Sequence, residues 1–212
     1  MAHQKLLKGN YMKLRYLIVM LGVLLLAAPV CHATWLICHQ PEFKGRIVDI
    51  ETDQPIEGAL IIAFYQKNAF GGPGGKIGST IHAKEALTDK NGYFRISSYW
   101  TLIQPFSWCD AVTFIVFKPG YLCFGENNLE DVFTGTLTKD VELFPAWNKT
   151  LKYRLTSNGT IKLPKVRSFE DRNKSSLSLR FSQFQNSLPI SRKIKEGEIS
   201  YLESNRERTY EK

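Results

Sequence analysis

In this 212-residue chain, with four histidines and four cysteines, one short run has the spacing of metal ligands. In His39-Gln40-Pro41-Glu42 the His-x-x-Glu interval would suit two ligands of a hydrolytic zinc site, which needs a third ligand and an open position. His82 is the only later histidine, so such a site depends on one long-range contact. Pro41 opposes a regular ligand-presenting element, and the run reads as a polar lead-in to a strand. Gly71-Gly72-Pro73-Gly74-Gly75-Lys76 suggests a phosphate loop, but Phe70 and Ile77 stand where that pattern needs Gly and Ser or Thr. Asp89-Lys90-Asn91-Gly92 has two oxygen side chains and no distal glutamate, so it is a hairpin turn and not a calcium loop. No Gly-x-Ser-x-Gly elbow occurs. These residues imply no catalytic group, no metal and no cofactor.

Aromatic chemistry is richer. Residues 98–110 include Tyr99, Trp100, Phe106 and Trp108, whose faces could stack on sugar rings or proline-rich ligands at low entropic cost. The alternative is that they cap one end of the body. Binding, if it occurs, is assigned to these four residues. A mature chain would keep Cys38, Cys109 and Cys123. A strand over 110–118 would separate Cys109 from Cys123 by more than the ~7 Å a disulfide tolerates. This leaves Cys38 with Cys109, Cys38 with Cys123, or no bridge.

Charge divides the chain. The net +8 is the sum of +4 over residues 1–33, −4 over 34–148 and +8 over 149–212. Lys13 and Arg15 precede the apolar run Leu17–Ala28, and small residues follow, as in a secretory signal peptide cut after Ala33. Lipidation at Cys31, or an uncleaved anchor, are the competing fates; Met12 offers an alternative start. No later segment reads as membrane-spanning. Hydrophobic residues at 43% are enough for a packed core.

The elements that would carry these residues are strands. Phe43–Ile50, Ala59–Tyr65, Ile81–Thr88, Tyr93–Ser97, Val112–Phe117 and Val141–Phe144 are β-branched or aromatic runs separated by turn residues. Ala59–Tyr65 is apolar throughout, the pattern of a strand buried on both faces. Residues 66–80 and 98–110 read as insertions between strands. An all-β antiparallel sandwich over residues 34–148 is expected.

Four segments follow in order: Gly45-Arg46-Ile47-Val48-Asp49, Pro55-Ile56-Glu57-Gly58-Ala59, Thr88-Asp89-Lys90-Asn91-Gly92-Tyr93-Phe94 and Lys118-Pro119-Gly120-Tyr121. Together they resemble the carboxypeptidase regulatory-like domain, a transthyretin-like (prealbumin-like), immunoglobulin-like β-sandwich, over residues 43–125. The resemblance implies a small exported bacterial protein with a structural or interaction role in the cell envelope. The His-rich site and C-terminal tetrapeptide of transthyretin-like hydrolases are missing.

Residues 149–212 read as a basic C-terminal tail, partly helical or disordered. Leu151 to Leu163 suggest an extended arm, Ser168-Phe169-Glu170-Asp171 has capping-box spacing, Pro189 reads as an interruption, and Glu196–Tyr210 suggests a charged helix. The expected partner is an envelope protein or a glycan, with peripheral membrane contact through the basic tail; export and dispersed charge argue against nucleic acid. A glycan-binding module using the loop 98–110 is the first alternative. A metal-dependent hydrolase using His39, Glu42 and His82 is the second.

Overall fold

A computed structural model describes residues 15–22, 36–72, 75–177 and 188–210. The expected signal peptide, its cut at Ala33 and the lipidation site Cys31 lie outside these residues, apart from a helical segment over 15–22. Among the described residues, no helix is long and apolar enough to cross a membrane.

Among the described residues, twelve strands and three helices follow that segment. The strands are β1 (Ile37–Gln40), β2 (Phe43–Asp49), β3 (Leu60–Phe70), β4 (Lys76–Leu87), β5 (Tyr93–Ile96), β6 (Tyr99–Leu102), β7 (Ser107–Cys109), β8 (Thr113–Phe117), β9 (Phe124–Asn128), β10 (Val141–Leu143), β11 (Tyr153–Leu155) and β12 (Thr160–Leu163). The helices are α1 (Glu130–Thr134), α2 (Phe169–Leu177) and α3 (Pro189–Tyr210). Two five-stranded sheets, β10-β11-β12-β2-β5 and β4-β3-β8-β9 with β7 also paired to β3, enclose the core, and β1 and β6 form a separate ribbon.

The core follows from strand alternation. Ile61, Ala63, Tyr65, Phe114 and Val116 project from one sheet onto Phe43, Ile47, Phe94, Tyr153 and Ile161 of the other. Phe43, Phe114, Phe133 and Phe94 form a chain of edge-on ring contacts with centroids 4.9–5.0 Å apart. The opposite side of β3 and β8 is also apolar: Leu60, Ile62, Phe64, Ile115 and Phe117 pack against Leu188, Ile190 and Ile194 at the start of α3. Burial of β3 on both faces is thus achieved by a helix from the tail. Glu85 of β4 fixes it, its carboxylate accepting the N–H groups of Ile190 (2.7 Å) and Ser191 (2.8 Å). An acidic partner at a helix N-terminus satisfies groups that have no intrahelical acceptor.

Several expectations change. The sheet does not end at residue 148: β11 and β12 lie inside it, and β12 runs parallel to β2. Val141–Leu143 is an edge strand paired to β11. Residues 66–70 and 76–80 are not a loop but the continuation of β3 and β4 into one long hairpin, with a register shift at Tyr65/Gln66. Residues 99–102 and 107–109 are strands as well. Pro189 opens α3 instead of interrupting it, because a first-turn proline sacrifices no intrahelical N–H bond. Ser168 caps α2 as its spacing predicts, accepting the Asp171 N–H at 3.0 Å. Helices α2 and α3 are joined by Glu198, 4% exposed, which takes both guanidinium donors of Arg172 at 2.7 and 2.8 Å.

One end of the sandwich is closed by polar bonds. Asp49, buried, accepts the N–H groups of Glu51 (2.8 Å) and Thr52 (3.0 Å), the Tyr121 hydroxyl (3.1 Å) and the Lys165 ammonium (3.1 Å). Thr88 accepts the Ala59 N–H and donates to the Ile56 carbonyl. Lys118 donates to the Glu57 carbonyl at 2.6 Å. Gly92, at φ +77°, has Ile47's carbonyl oxygen where a Cβ would stand, so only glycine fits there. The residues that carry the family resemblance therefore serve this closed end.

Candidate functional site

The other end of β3 is built differently. Its hairpin with β4 projects beyond the register shift and is flanked by β7, where Trp108 pairs with Asn68 and Ser107 with Ala69. The β1-β6 ribbon covers this projection. With a period of two, Cys38 and Gln40 of β1 share the inward face with Thr101 and Tyr99 of β6. Ile37 and His39 face outward, opposite Leu102 and Trp100.

Three attachments hold the ribbon. Cys38 is disulfide-bonded to Cys109, with Cα atoms 5.5 Å apart. Cys123 is buried elsewhere, in the β8-β9 turn, where its N–H donates to Ser175. Gln40 donates to the Asp110 carbonyl at 3.1 Å. The Tyr99 ring stacks on His82, with centroids 4.6 Å apart and planes inclined by 12°, and also meets Tyr65 at 4.6 Å. Burial, helped by Lys84, pushes the His82 pKa down. Burial likewise raises the Tyr65 phenol to about 12.

The sequence-predicted aromatic residues separate into two roles. Tyr99 turns inward and anchors the ribbon. Trp100 (69% exposed), Phe106 (71%) and Trp108 (45%) face solvent. Four further apolar side chains are exposed with them: Ile37 and Leu102 on the ribbon, Phe70 and Ile77 at the hairpin tip. Phe70 donates its N–H to the Phe106 carbonyl at 3.1 Å, which ties the tip to the 103–106 turn. The sequence reading missed these four residues. Ile77 was hidden in a glycine-rich stretch, although Phe70 and Ile77 flank the glycines as strand-end residues do.

Phe106 has a backbone cost. It adopts φ +62°, a region that bulky residues avoid. An exposed phenylalanine gains little from burial to offset this, so we expect Phe106→Gly to raise unfolding free energy by about 1 kcal/mol. Urea denaturation would show it; a loss of stability would mean that the ring stabilises the fold.

The zinc-type candidates do not converge. His39 lies on the outer face of the ribbon, whereas His82 packs beneath its inner face. Glu42 pairs with Lys44 and Arg95, each at 2.5 Å, and these two cations hold its carboxyl below the usual range. Among the described residues, no group of three or more His, Cys, Asp or Glu is placed to hold a metal ion.

Concavities among the described residues lie elsewhere. A polar cleft of about 450 Å³ beside β2 and β12 has Arg46, Asp53, Asp140 and Lys162 in its walls, and Lys162 pairs with Asp53 at 2.5 Å. A smaller one of about 340 Å³ opens between β9 and residues 143–147, lined by Phe124, Phe144, Trp147 and Tyr153. The first also has the hydroxyls of Thr156, Ser157 and Thr160 in its walls. No family model, curated protein or solved structure matches the chain.

Proposed function

We propose that this is a non-catalytic, exported β-sandwich module with an interaction role in the cell envelope, and that the open end of the sandwich is its docking surface. Seven large apolar side chains exposed at one end support this reading. Large apolar side chains gathered in exposed positions at one end of a domain mark an interaction site more often than apolar residues scattered singly do. The two ends of β3 divide the work: polar bonds at Asp49 and Thr88 close one end, and the other presents aromatic and aliphatic groups. We further infer that the sandwich is of the transthyretin-like, carboxypeptidase regulatory-like kind. The clustering of all four resembling segments at the closed end supports that inference, and a solved structure with a different strand order would overturn it.

Glycan binding would use Trp100 and Trp108 as stacking platforms. Ile37, Ile77 and Leu102 would be idle in that role, and they favour an apolar partner.

The triple substitution Trp100→Ser, Leu102→Ser and Phe106→Ser tests the surface. Being exposed, these positions should change unfolding free energy by no more than about 0.5 kcal/mol each. Association of the full chain with native envelope material should fall sharply. A stable variant that partitions as the unaltered chain does would refute the docking role of this end.

A further inference from the structure

The occupant of the open end can be argued from three features. The first is the chemistry of its side chains. Phe70, Phe106 and Leu102 stand at the projecting tip, while Trp100 and Trp108 lie one step behind on β6 and β7. At a bilayer surface, phenyl and aliphatic groups favour the acyl region, and indoles favour the headgroup level where the N–H stays wet. A sugar-binding face would instead need polar groups between its aromatic rings.

The second feature is charge. Across residues 36–40, 66–80 and 99–109, the segments that build this end, the chain has Lys67 and Lys76 and not one carboxylate. The same chain has 20 acidic residues in all, and the body that carries this end is acidic on balance. The first carboxylate beyond β7 is Asp110, at the base of the projection, where its N–H bonds to the Gln66 carbonyl. Exclusion of acid together with two lysines suits an anionic surface.

The third is the direction of the chain. Gln40 is fixed to Asp110, Cys38 to Cys109, and the Leu36 carbonyl accepts the Ile103 N–H. Strand β1 therefore runs from the tip toward the base, and the chain enters the sandwich at the apolar end. Seven residues separate the apolar run Leu17–Ala28 from Leu36, a reach of at most about 25 Å. If that run is retained in a bilayer, it holds this end against the headgroups. If it is cut off, the end itself is left as the apolar contact.

We propose that the open end docks on a lipid bilayer bearing anionic headgroups, with the hairpin tip and the 103–106 turn inserted and Trp100 and Trp108 at the interface. This names the partner of the docking surface proposed above and rests on that reading.

The test uses the full chain in two single-tryptophan forms, keeping Trp108 or Trp147 and replacing the other tryptophans by Phe. Each is mixed with vesicles of phosphatidylethanolamine and phosphatidylglycerol, or of phosphatidylcholine alone, with and without brominated acyl chains. Trp108 should shift to the blue and be quenched by bromolipid, more strongly on the anionic vesicles, while Trp147 is unaffected. Adding Leu102→Ser and Phe106→Ser to the Trp108 form should weaken vesicle binding by about tenfold. Vesicle-bound protein with unquenched Trp108 overturns the proposal and moves the contact to the N-terminal run or the basic tail. Absence of vesicle binding overturns it as well. Trp108 shielded by insoluble cell-wall glycan or by an envelope protein, but not by vesicles, would also overturn it while leaving the docking surface standing. The docking surface fails separately, if the triple serine variant still partitions with native envelope material.

Discussion

Reduction of the Cys38–Cys109 disulfide, or Cys109→Ser, is expected to lower the unfolding free energy by about 4 kcal/mol. The bond closes a loop with a sequence separation of 71, and the cost of closing so long a loop in the unfolded chain is large. The effect should also be local. Ribbon β1-β6 is a separate two-stranded sheet, and an isolated pair of strands is marginal in water. Without the bond, it is retained by the Gln40 amide, the packing of Tyr99 on His82 and Tyr65, and the Lys84 contacts to Ser97 and Ser98. Urea denaturation with and without reductant measures the first effect, and hydrogen exchange measures the second. Loss of protection should be concentrated at residues 37–40 and 99–102. An unchanged midpoint in reductant would mean that the bond contributes nothing to stability. Vesicle or envelope association should fall with it, because Trp100 and Leu102 are presented by that ribbon.

Asp49→Ala should cost about 3 kcal/mol, since it strands two backbone donors and the Tyr121 hydroxyl that the carboxylate now satisfies. It also removes the anchor for Lys165, and with it one tie between the sandwich and the segment after β12. Burial by itself raises the Asp49 pKa, but the Lys165 ammonium, the two N–H donors and the phenol outweigh it, and the carboxyl sits below its ordinary value. The sign follows from linkage: a lowered folded pKa contributes stability that is fully present above the unfolded value near 3.9 and lost as pH falls through the folded one. The stability gap between the unaltered chain and Asp49→Asn should thus be constant above about pH 5 and narrow below pH 4. A gap that does not change with pH would show that the charge of Asp49 is immaterial.

Much of the fold was legible because it depends on local chemistry. The Asp89–Gly92 turn, the Ser168 cap and the double burial of β3 each follow from residues within a short window, and all three are found. What covered the outer face of β3 was not legible, because α3 is remote in sequence and the residues that pack there, Leu188, Ile190 and Ile194, sit at one end of it. The β3-β4 hairpin was misread for a related reason. Gly78 faces Asn68, whose side-chain oxygen would lie 3.2 Å from an added Cβ. Glycine there marks close approach between strands, yet in composition it looks like a loop. At the candidate site, alternation along Tyr99–Leu102 indicates that Tyr99 and Trp100 oppose each other, but sequence does not say which one faces inward. The choice of Cys109 for Cys38 required knowing that β7 lies beside the ribbon.

The parallel pairing of β2 with β12 also has a consequence in time. Arg46 is matched to Thr160 and Asp49 to Leu163, so a central strand made early waits for a neighbour made late. At ordinary synthesis rates this interval is on the order of ten seconds. Until it ends, one edge of β2 is open and the first sheet cannot be completed. Folding is thereby postponed until most of the chain exists, and contacts of such long range also close slowly. If the chain is exported as proposed, a translocation channel that accepts only extended polypeptide would find it still unfolded.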